Sequence, residues 1–213
     1  LEGKYNLTLE HELESKKKNS SSSVLLKKIL NKTIILNEKK LSLSYFQVSS
    51  ITNSKHTASG STSTSYLESF EDKIIFLTGD GNFYYFLKSD LQKKKFNALK
   101  IKSNIGNFIN YPMFYKKSLY GIKDLFIKEG KIFFTASLEK EKNCFNTGIY
   151  SADVNFLSLN FTKFYQPSLC VKKELAAIDE FSPYPASGRL FDYDKDHILF
   201  SVGEWNNRPA AQD

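Results

Sequence analysis

Asp124-Leu125-Phe126-Ile127, then the turn Glu129-Gly130, then Lys131-Ile132-Phe133-Phe134-Thr135-Ala136-Ser137 is the stretch that decides the fold of this chain. An apolar run leads into a tight polar turn, and a second, more strongly apolar run then ends in small residues. Short runs rich in Ile, Phe and Thr on either side of a Gly-containing turn are typical of a β-hairpin. The stretch therefore predicts two antiparallel strands.

The same pattern occurs twice more. One copy spans residues 66–79 and turns at Glu71-Asp72, and the other spans residues 189–203 and turns at Lys195-Asp196. The leading leucines of the three copies lie 58 and 65 residues apart: Leu67, Leu125 and Leu190. Recurrence at a nearly constant spacing indicates one structural unit used repeatedly.

Each full unit contains two further strands. Asp80-Gly81 is a hairpin-turn signal that leads into residues 83–87, and residues 96–101 follow. In the second unit, residues 147–152 and 157–164 take the same two places. No long amphipathic pattern interrupts the run, so the sequence predicts units of four antiparallel strands.

Four-stranded units without intervening helices predict an all-β fold, and specifically a β-propeller of four-stranded antiparallel blades. Blades are expected near residues 66–101 and 122–165, with a half blade at 187–203. A β-sandwich of hairpins is the alternative, and it does not need a shared period. At this spacing 213 residues hold fewer than four units, so residues 24–213 are expected to be part of a propeller and the chain a fragment.

The region before the repeats is less regular. Residues 1–23 end in a run of Lys, Asn and Ser and predict a polar linker or a disordered segment. Residues 24–48 contain short apolar stretches that favour β-strands, which are the candidate for an additional N-terminal blade. Residues 49–65 are dominated by Ser and Thr and predict a loop.

Almost all of the positive charge comes from lysine. Thirty Lys and Arg face 23 Asp and Glu, which gives a net charge of +7, yet only Arg189 and Arg208 are arginines. Base and phosphate recognition favours the planar fork of Arg, so no nucleic-acid partner is predicted. The most apolar window, residues 24–36, is interrupted by lysines, and no membrane-spanning helix is predicted.

Two cysteines, Cys144 and Cys170, flank the outer two strands of the second unit. A disulfide between them would close a loop of about 26 residues and contribute roughly 3 kcal/mol. It would place the protein in the periplasm or outside the cell, whereas two buried thiols in a reducing compartment are the alternative. The three histidines are far apart and no ligand spacing fits zinc or an EF-hand, so no metal site is predicted.

The last segment holds both arginines and the single Trp. Innermost strands begin near the axis of a propeller, so Arg189 is expected to approach a central channel, where ligands commonly bind. The alternative is an Arg that pins loop carbonyls and carboxylates inside the ring. The predicted ligand contacts are Arg189, Glu204, Asn206 and Arg208, joined by Lys123 and Asp124 before the second inner strand.

This segment resembles the glucose/sorbosone dehydrogenase family. The likeness is carried by Ser187-Gly188-Arg189-Leu190, the turn at Asp196, the aromatic second strand, and Gly203-Glu204 with Asn206-Asn207-Arg208. It extends over residues 66–213, with the specific motif in about the last 30. Members are six-bladed, periplasmic or secreted propellers that oxidise sugars with pyrroloquinoline quinone and calcium. The resemblance implies the same fold and location, and a small sugar or glycan as ligand.

The residue in place of the family's catalytic base is Pro185, where the family has a His that takes the proton of the sugar hydroxyl. Proline has no titratable group, so no catalytic residue is assigned. Glu204 stands where the family commonly has Asp. Two hypotheses follow: part of a quinone-dependent sugar dehydrogenase, or a non-catalytic propeller that binds a saccharide or a protein partner. A purely structural propeller is a third.

Overall fold

The computed structural model describes residues 23–48, 65–79, 81–109, 121–172 and 187–203, together with Trp205. These residues form almost entirely antiparallel β-structure in three sheets, and their helical content is limited to two short 3₁₀ turns, Lys88–Gln92 and Ile105–Asn107. The prediction of an all-β fold is confirmed. The helices of this part of the chain are too short to cross a membrane.

The strands are numbered in chain order: β1 (Ser23–Leu36), β2 (Lys39–Val48), β3 (Ser65–Phe70), β4 (Lys73–Thr78), β5 (Phe83–Leu87), β6 (Lys95–Ser103), β7 (Gly121–Lys128), β8 (Lys131–Glu141), β9 (Cys144–Asp153), β10 (Ser158–Leu159), β11 (Thr162–Tyr165), β12 (Val171–Lys172), β13 (Ser187–Asp192) and β14 (Ile198–Val202). The predicted linker and Ser/Thr loop fall mainly on residues 1–22 and 49–64, which lie outside the described residues.

The first sheet has the order β2-β1-β6-β5-β4-β3, so the first four-stranded unit is a meander extended by the β1–β2 hairpin. Residues 24–48 are therefore β-structure as predicted, but they join this sheet instead of forming a separate blade. The sheet is curled, and Val24 and Leu26 of β1 share one buried cluster with Phe76, Tyr84 and Phe86 of the same sheet.

The second sheet has the order β11-β9-β8-β7, with β12 beside β9, and β13 and β14 form a separate hairpin. The predicted strand at 157–164 is interrupted at Phe161. Its backbone N–H donates to Asn104 Oδ1 at 2.7 Å and its carbonyl accepts from Asn104 Nδ2 at 3.0 Å. Because these bonds replace those of a β-ladder, the stretch divides into β10, which pairs with β6, and β11, which pairs with β9.

The main core lies between the first two sheets. It joins Ile75, Leu77 and Phe83 of the first sheet to Phe134 and Tyr150 of the second. The β13–β14 hairpin packs on the second sheet through a smaller cluster of Phe133, Ile149 and Leu190.

The first strands of the three units lie next to one another, since β7 contacts both β3 and β13. One link is a hydrogen bond of 2.7 Å from the Tyr66 hydroxyl to the carbonyl of Ile122. Successive blades of a propeller stack in this manner. Three stacked units do not by themselves make a closed ring, so the propeller stays a prediction.

Candidate binding site at the inner strands

The candidate site is formed where β7 and β13 are each interrupted by a β-bulge. In β7 the register passes from Ile122 opposite Ala136 to Asp124 opposite Thr135, so Lys123 is the extra residue. In β13 the shift falls between Ser187 and Leu190, on Gly188 and Arg189. Bulges redirect side chains and are over-represented beside functional sites.

Asp124 of β7 links the two bulged strands through its bonds to β13. Its side chain is only 7% exposed, Oδ2 accepts a hydrogen bond from the backbone N–H of Leu190 at 2.8 Å, and Oδ1 lies 3.2 Å from Nη1 of Arg189. A buried carboxylate needs such partners, because it loses its hydration. Arg189 itself remains 65% exposed. The arginine therefore contacts a buried carboxylate, as the alternative of a structural arginine expects, while most of its side chain remains exposed to solvent.

Lys123 is half-buried beside Gly188. Burial lowers the pKa of its ammonium group to about 8. The Gly188 backbone has a φ of +115°, and a Cβ placed there would lie 2.6 Å from Cβ of Lys123 and 3.0 Å from Cγ2 of Thr147. The Thr135 hydroxyl donates to the Gly188 carbonyl at 2.6 Å. This close approach and the positive φ require glycine at position 188.

Hydroxyl groups surround these charges. The side-chain oxygens of Ser137 and Thr147 lie 3.1 Å apart and are buried, and Ser201 Oγ accepts the backbone N–H of Arg189 at 3.0 Å. Glu68, on the neighbouring strand β3, is half-buried; burial raises the pKa of its carboxyl group and the charge of Asp124 adds to the rise. Three adjacent first strands thus contribute charges to one region.

Sequence reasoning identified part of this site. The structure brings together three of the residues predicted as ligand contacts, Lys123, Asp124 and Arg189; a ligand-binding role for them stays a prediction. Sequence reasoning missed Glu68, Thr135, Ser137, Thr147 and Ser201. For Thr135, Ser137 and Ser201 the available signal was the run of small residues that ends the second strand of each repeat. Pro185 and the other predicted contacts, Glu204, Asn206 and Arg208, lie outside the described residues.

Trp205, between those contacts, is fully buried and its ring centroid lies 5.8 Å from that of Phe145. Phe145 follows Cys144, which forms a disulfide with Cys170. The predicted bond is therefore confirmed, and Asn146 fixes the same loop by donating to the carbonyls of Pro167 and Leu169. A disulfide fits an extracellular protein.

The described residues do not contain three or more His, Cys, Asp or Glu side chains placed to hold one metal ion. Calcium takes six to eight oxygen ligands. The two carboxylates at the inner strands, Glu68 and Asp124, do not make such a set, and Asp124 is occupied by Arg189 and Leu190. The part of the chain that the structure describes therefore does not fit the calcium site that the family resemblance implies.

Comparisons with protein families, with curated proteins and with solved structures found no match to this chain. The resemblance to the glucose/sorbosone dehydrogenases thus depends on the motif at residues 187–208.

Replacing Asp124 by Asn should destabilise the protein by about 1–2 kcal/mol, because the amide can accept from Leu190 but its NH₂ group cannot accept from Arg189. Urea unfolding followed by Trp fluorescence measures this cost. Asp192→Asn is the matched control, since Asp192 is an exposed partner of Lys128 at 2.6 Å; it should change stability by less than about 0.5 kcal/mol. An equal loss of unfolding free energy in the two variants would contradict the stabilising role of Asp124.

Lys123 should make the protein more stable as the pH rises from about 8 to 10.5. The pKa in the folded state is about 8 and the ordinary value is 10.5, so the unfolded chain binds more protons in that interval. We expect Lys123→Met to abolish a rise on the order of 1–2 kcal/mol relative to wild type. Unfolding curves for both proteins across this pH range give the difference, and parallel pH profiles would contradict it.

Proposed function

We propose that this chain is a saccharide-binding β-protein, a non-catalytic relative in architecture of the quinone-dependent sugar dehydrogenase propellers. The observation that carries the proposal is the anchored arginine: Arg189 is held by buried Asp124, and most of its side chain remains exposed. A donor group fixed before binding loses less conformational entropy when it contacts a ligand. Sugar hydroxyls accept hydrogen bonds from such donors.

The charges at the site favour a neutral ligand. Lys123 and Arg189 contribute cations, and Asp124 and Glu68 contribute carboxyl groups, so neither sign dominates. A site for a polyanion would instead carry an excess of positive charge. The part-buried hydroxyl groups of Ser187 and Ser201, beside the charges, add donors and acceptors of the kind that a neutral saccharide can use.

The position of the site also supports the proposal. It lies on the first strands of adjacent units, which in a propeller line the central channel, and concave regions of this kind bury small ligands. The predicted contacts at 204–208 would extend the same site.

The test is binding of neutral mono- and oligosaccharides to the full chain, measured by calorimetry after a glycan array has selected candidates. Arg189→Ala should weaken binding at least tenfold, and Arg189→Lys should restore it only in part, because Lys lacks the planar fork. Lys131→Ala is the control, since Lys131 pairs with exposed Asp153 at the far end of β8. Unchanged binding by Arg189→Ala would refute the assignment.

Sugar oxidation is the second candidate, favoured by the motif at Ser187–Leu190 on an inner strand. Dye reduction across an aldose panel, with pyrroloquinoline quinone and calcium supplied, tests it. Reduction by the wild-type chain would favour the enzyme. Saccharide binding without reduction, unchanged by Pro185→His, would favour the binding protein.

A further inference from the structure

The β1–β2 hairpin extends well beyond the sheet that holds its base. Strand β6 pairs with β1 from Ser23 to Lys27, and the N–H of Lys28 donates to the carbonyl of Lys94; beyond Lys28, β1 pairs with β2 alone among the described residues. Residues 30–36 and 39–45 thus form a two-stranded projection, here termed the hairpin arm. Its seven residues per strand span about 20 Å. Such a ribbon is marginally stable in water without a partner.

One face of the hairpin arm is apolar. Residues directly opposite each other across an antiparallel pair lie on the same face, and this face alternates with the other along each strand. The pairs on the apolar face are Leu30–Tyr45, Lys32–Leu43, Ile34–Leu41 and Leu36–Lys39. The pairs on the opposite face are Asn31–Ser44, Thr33–Ser42 and Ile35–Lys40.

A β-bulge at Ile29 directs this apolar face away from the core. Before the bulge, Lys28 lies opposite Phe46, which packs on the buried cluster of the first sheet. Along β2 the side chains alternate, so Tyr45 and Leu43 lie on the face opposite to Phe46. The bulge brings Leu30 to the Tyr45 side. The apolar residues of the hairpin arm are therefore not an extension of that core.

These side chains are exposed to solvent. Leu36 is 58% exposed and Leu30 53%, while Leu41, Leu43 and Tyr45 are also exposed. An exposed face that is largely apolar, here with Lys32 and Lys39 among its residues, is typical of an interaction site.

The charge around the hairpin arm is strongly positive. Within residues 23–48 there are five lysines and one acidic residue, Glu38 at the turn. At the base of the hairpin arm, a cleft of about 430 Å³ is lined by Lys27, Lys28, Lys94 and Lys95 with Ile29, Leu30 and Asn31. The cleft lining contains no carboxylate. Two hairpin arms facing each other would place lysines against lysines, so charge complementarity favours an anionic partner.

We propose that the hairpin arm docks on an anionic lipid surface. Its apolar face would lie at the boundary of headgroups and acyl chains, and the lysines would contact headgroup phosphates. The main-chain groups on the outer side of β2 are unpaired within the described residues, and hydrocarbon does not satisfy such groups, so the hairpin arm lies in the interface and does not cross it. Neither the saccharide site nor its ligand enters this inference.

The test is co-sedimentation of the full chain with vesicles. Binding is expected to mixed phosphatidylcholine and phosphatidylserine vesicles, to weaken as salt increases, and to be at least tenfold weaker with phosphatidylcholine alone. The double variant Leu36→Ser with Leu41→Ser should reduce binding at least tenfold. Lys32→Gln with Lys39→Gln should reduce it several-fold.

Ile35→Ser is the matched control, because Ile35 is 71% exposed on the opposite face of the same projection. It should leave vesicle binding unchanged. Trp205 fluorescence and thermal unfolding establish that every variant is folded. Equal loss in the Ile35 and Leu36/Leu41 variants would overturn the proposal. Equal binding to neutral vesicles would also overturn the proposal. The same holds if the hairpin arm binds poly-glutamate or a second copy of the chain and does not bind vesicles.

Discussion

Replacement of Gly188 by Ala should lower the free energy of unfolding by roughly 3–5 kcal/mol. Two costs combine. A φ of +115° is strained for any residue with a side chain, and the new methyl group would meet Cβ of Lys123 at 2.6 Å. That neighbouring atom is close to the backbone and cannot swing away, so the β7–β13 contact must open.

Gly130→Ala separates these two costs. Gly130 also has a positive φ, +73°, but no heavy atom lies within 4 Å of a Cβ added there. We expect this change to cost about 1 kcal/mol from backbone strain alone. Urea unfolding of both variants gives the comparison, and a Gly188 variant no less stable than the Gly130 variant would contradict the close packing. Adding Lys123→Ala to Gly188→Ala should recover part of the loss, since it removes the Cγ contact.

The second large effect concerns the disulfide. Replacing Cys144 and Cys170 together by Ala should destabilise the protein by about 3 kcal/mol, because the unfolded chain regains the entropy of a 26-residue loop. Thermal unfolding with and without reductant measures this. Wild type should lose stability in reductant, and the double variant should not respond.

Local effects accompany that loss. Phe145 contacts Trp205, so opening the loop beside it should change Trp fluorescence before global unfolding. Thiol alkylation followed by mass spectrometry establishes the redox state in each sample. If both thiols of the wild type are alkylated, the disulfide has been reduced. An unchanged thermal stability in that sample would refute a stabilising role for the bond.

The sequence repeats predicted most of the strands because strand formation depends on local patterns. Alternating and continuous apolar runs located β3 to β9 and the β13–β14 hairpin within a few residues. The pairing of β1 with β6 was not predictable, since a strand with an exposed edge can be completed by several partners. The interruption at Phe161 also depends on a distant group, the side chain of Asn104.

The sequence predicted which residues lie near one another in the candidate site, but not the contacts between them. Lys123, Asp124 and Arg189 precede apolar strands that begin near one another, and their proximity follows from the repeat. The contact between Asp124 and the Leu190 N–H depends on a bulge in each strand, and a bulge shifts the alternation by one residue. Glu68 lies on the same face of β3 as Tyr66 and Phe70, which pack against the main core, so a carboxylate among inward-facing residues was a signal that the sequence reasoning did not use.

The arrangement of the sheets has a consequence for the order of folding. Strands β3 to β6 and β7 to β9 are each neighbours in sequence, so these meanders form from short loops, whose closure costs little entropy. Residues 23–27 are different, because their partners lie at 95–99. During synthesis from the N-terminus, nearly seventy residues are added after β1 residues 23–27 before their β6 partners are present. Throughout that interval β1 can pair only with β2, and its apolar residues lack the rest of the sheet that buries them, so this stage of folding exposes the chain to aggregation.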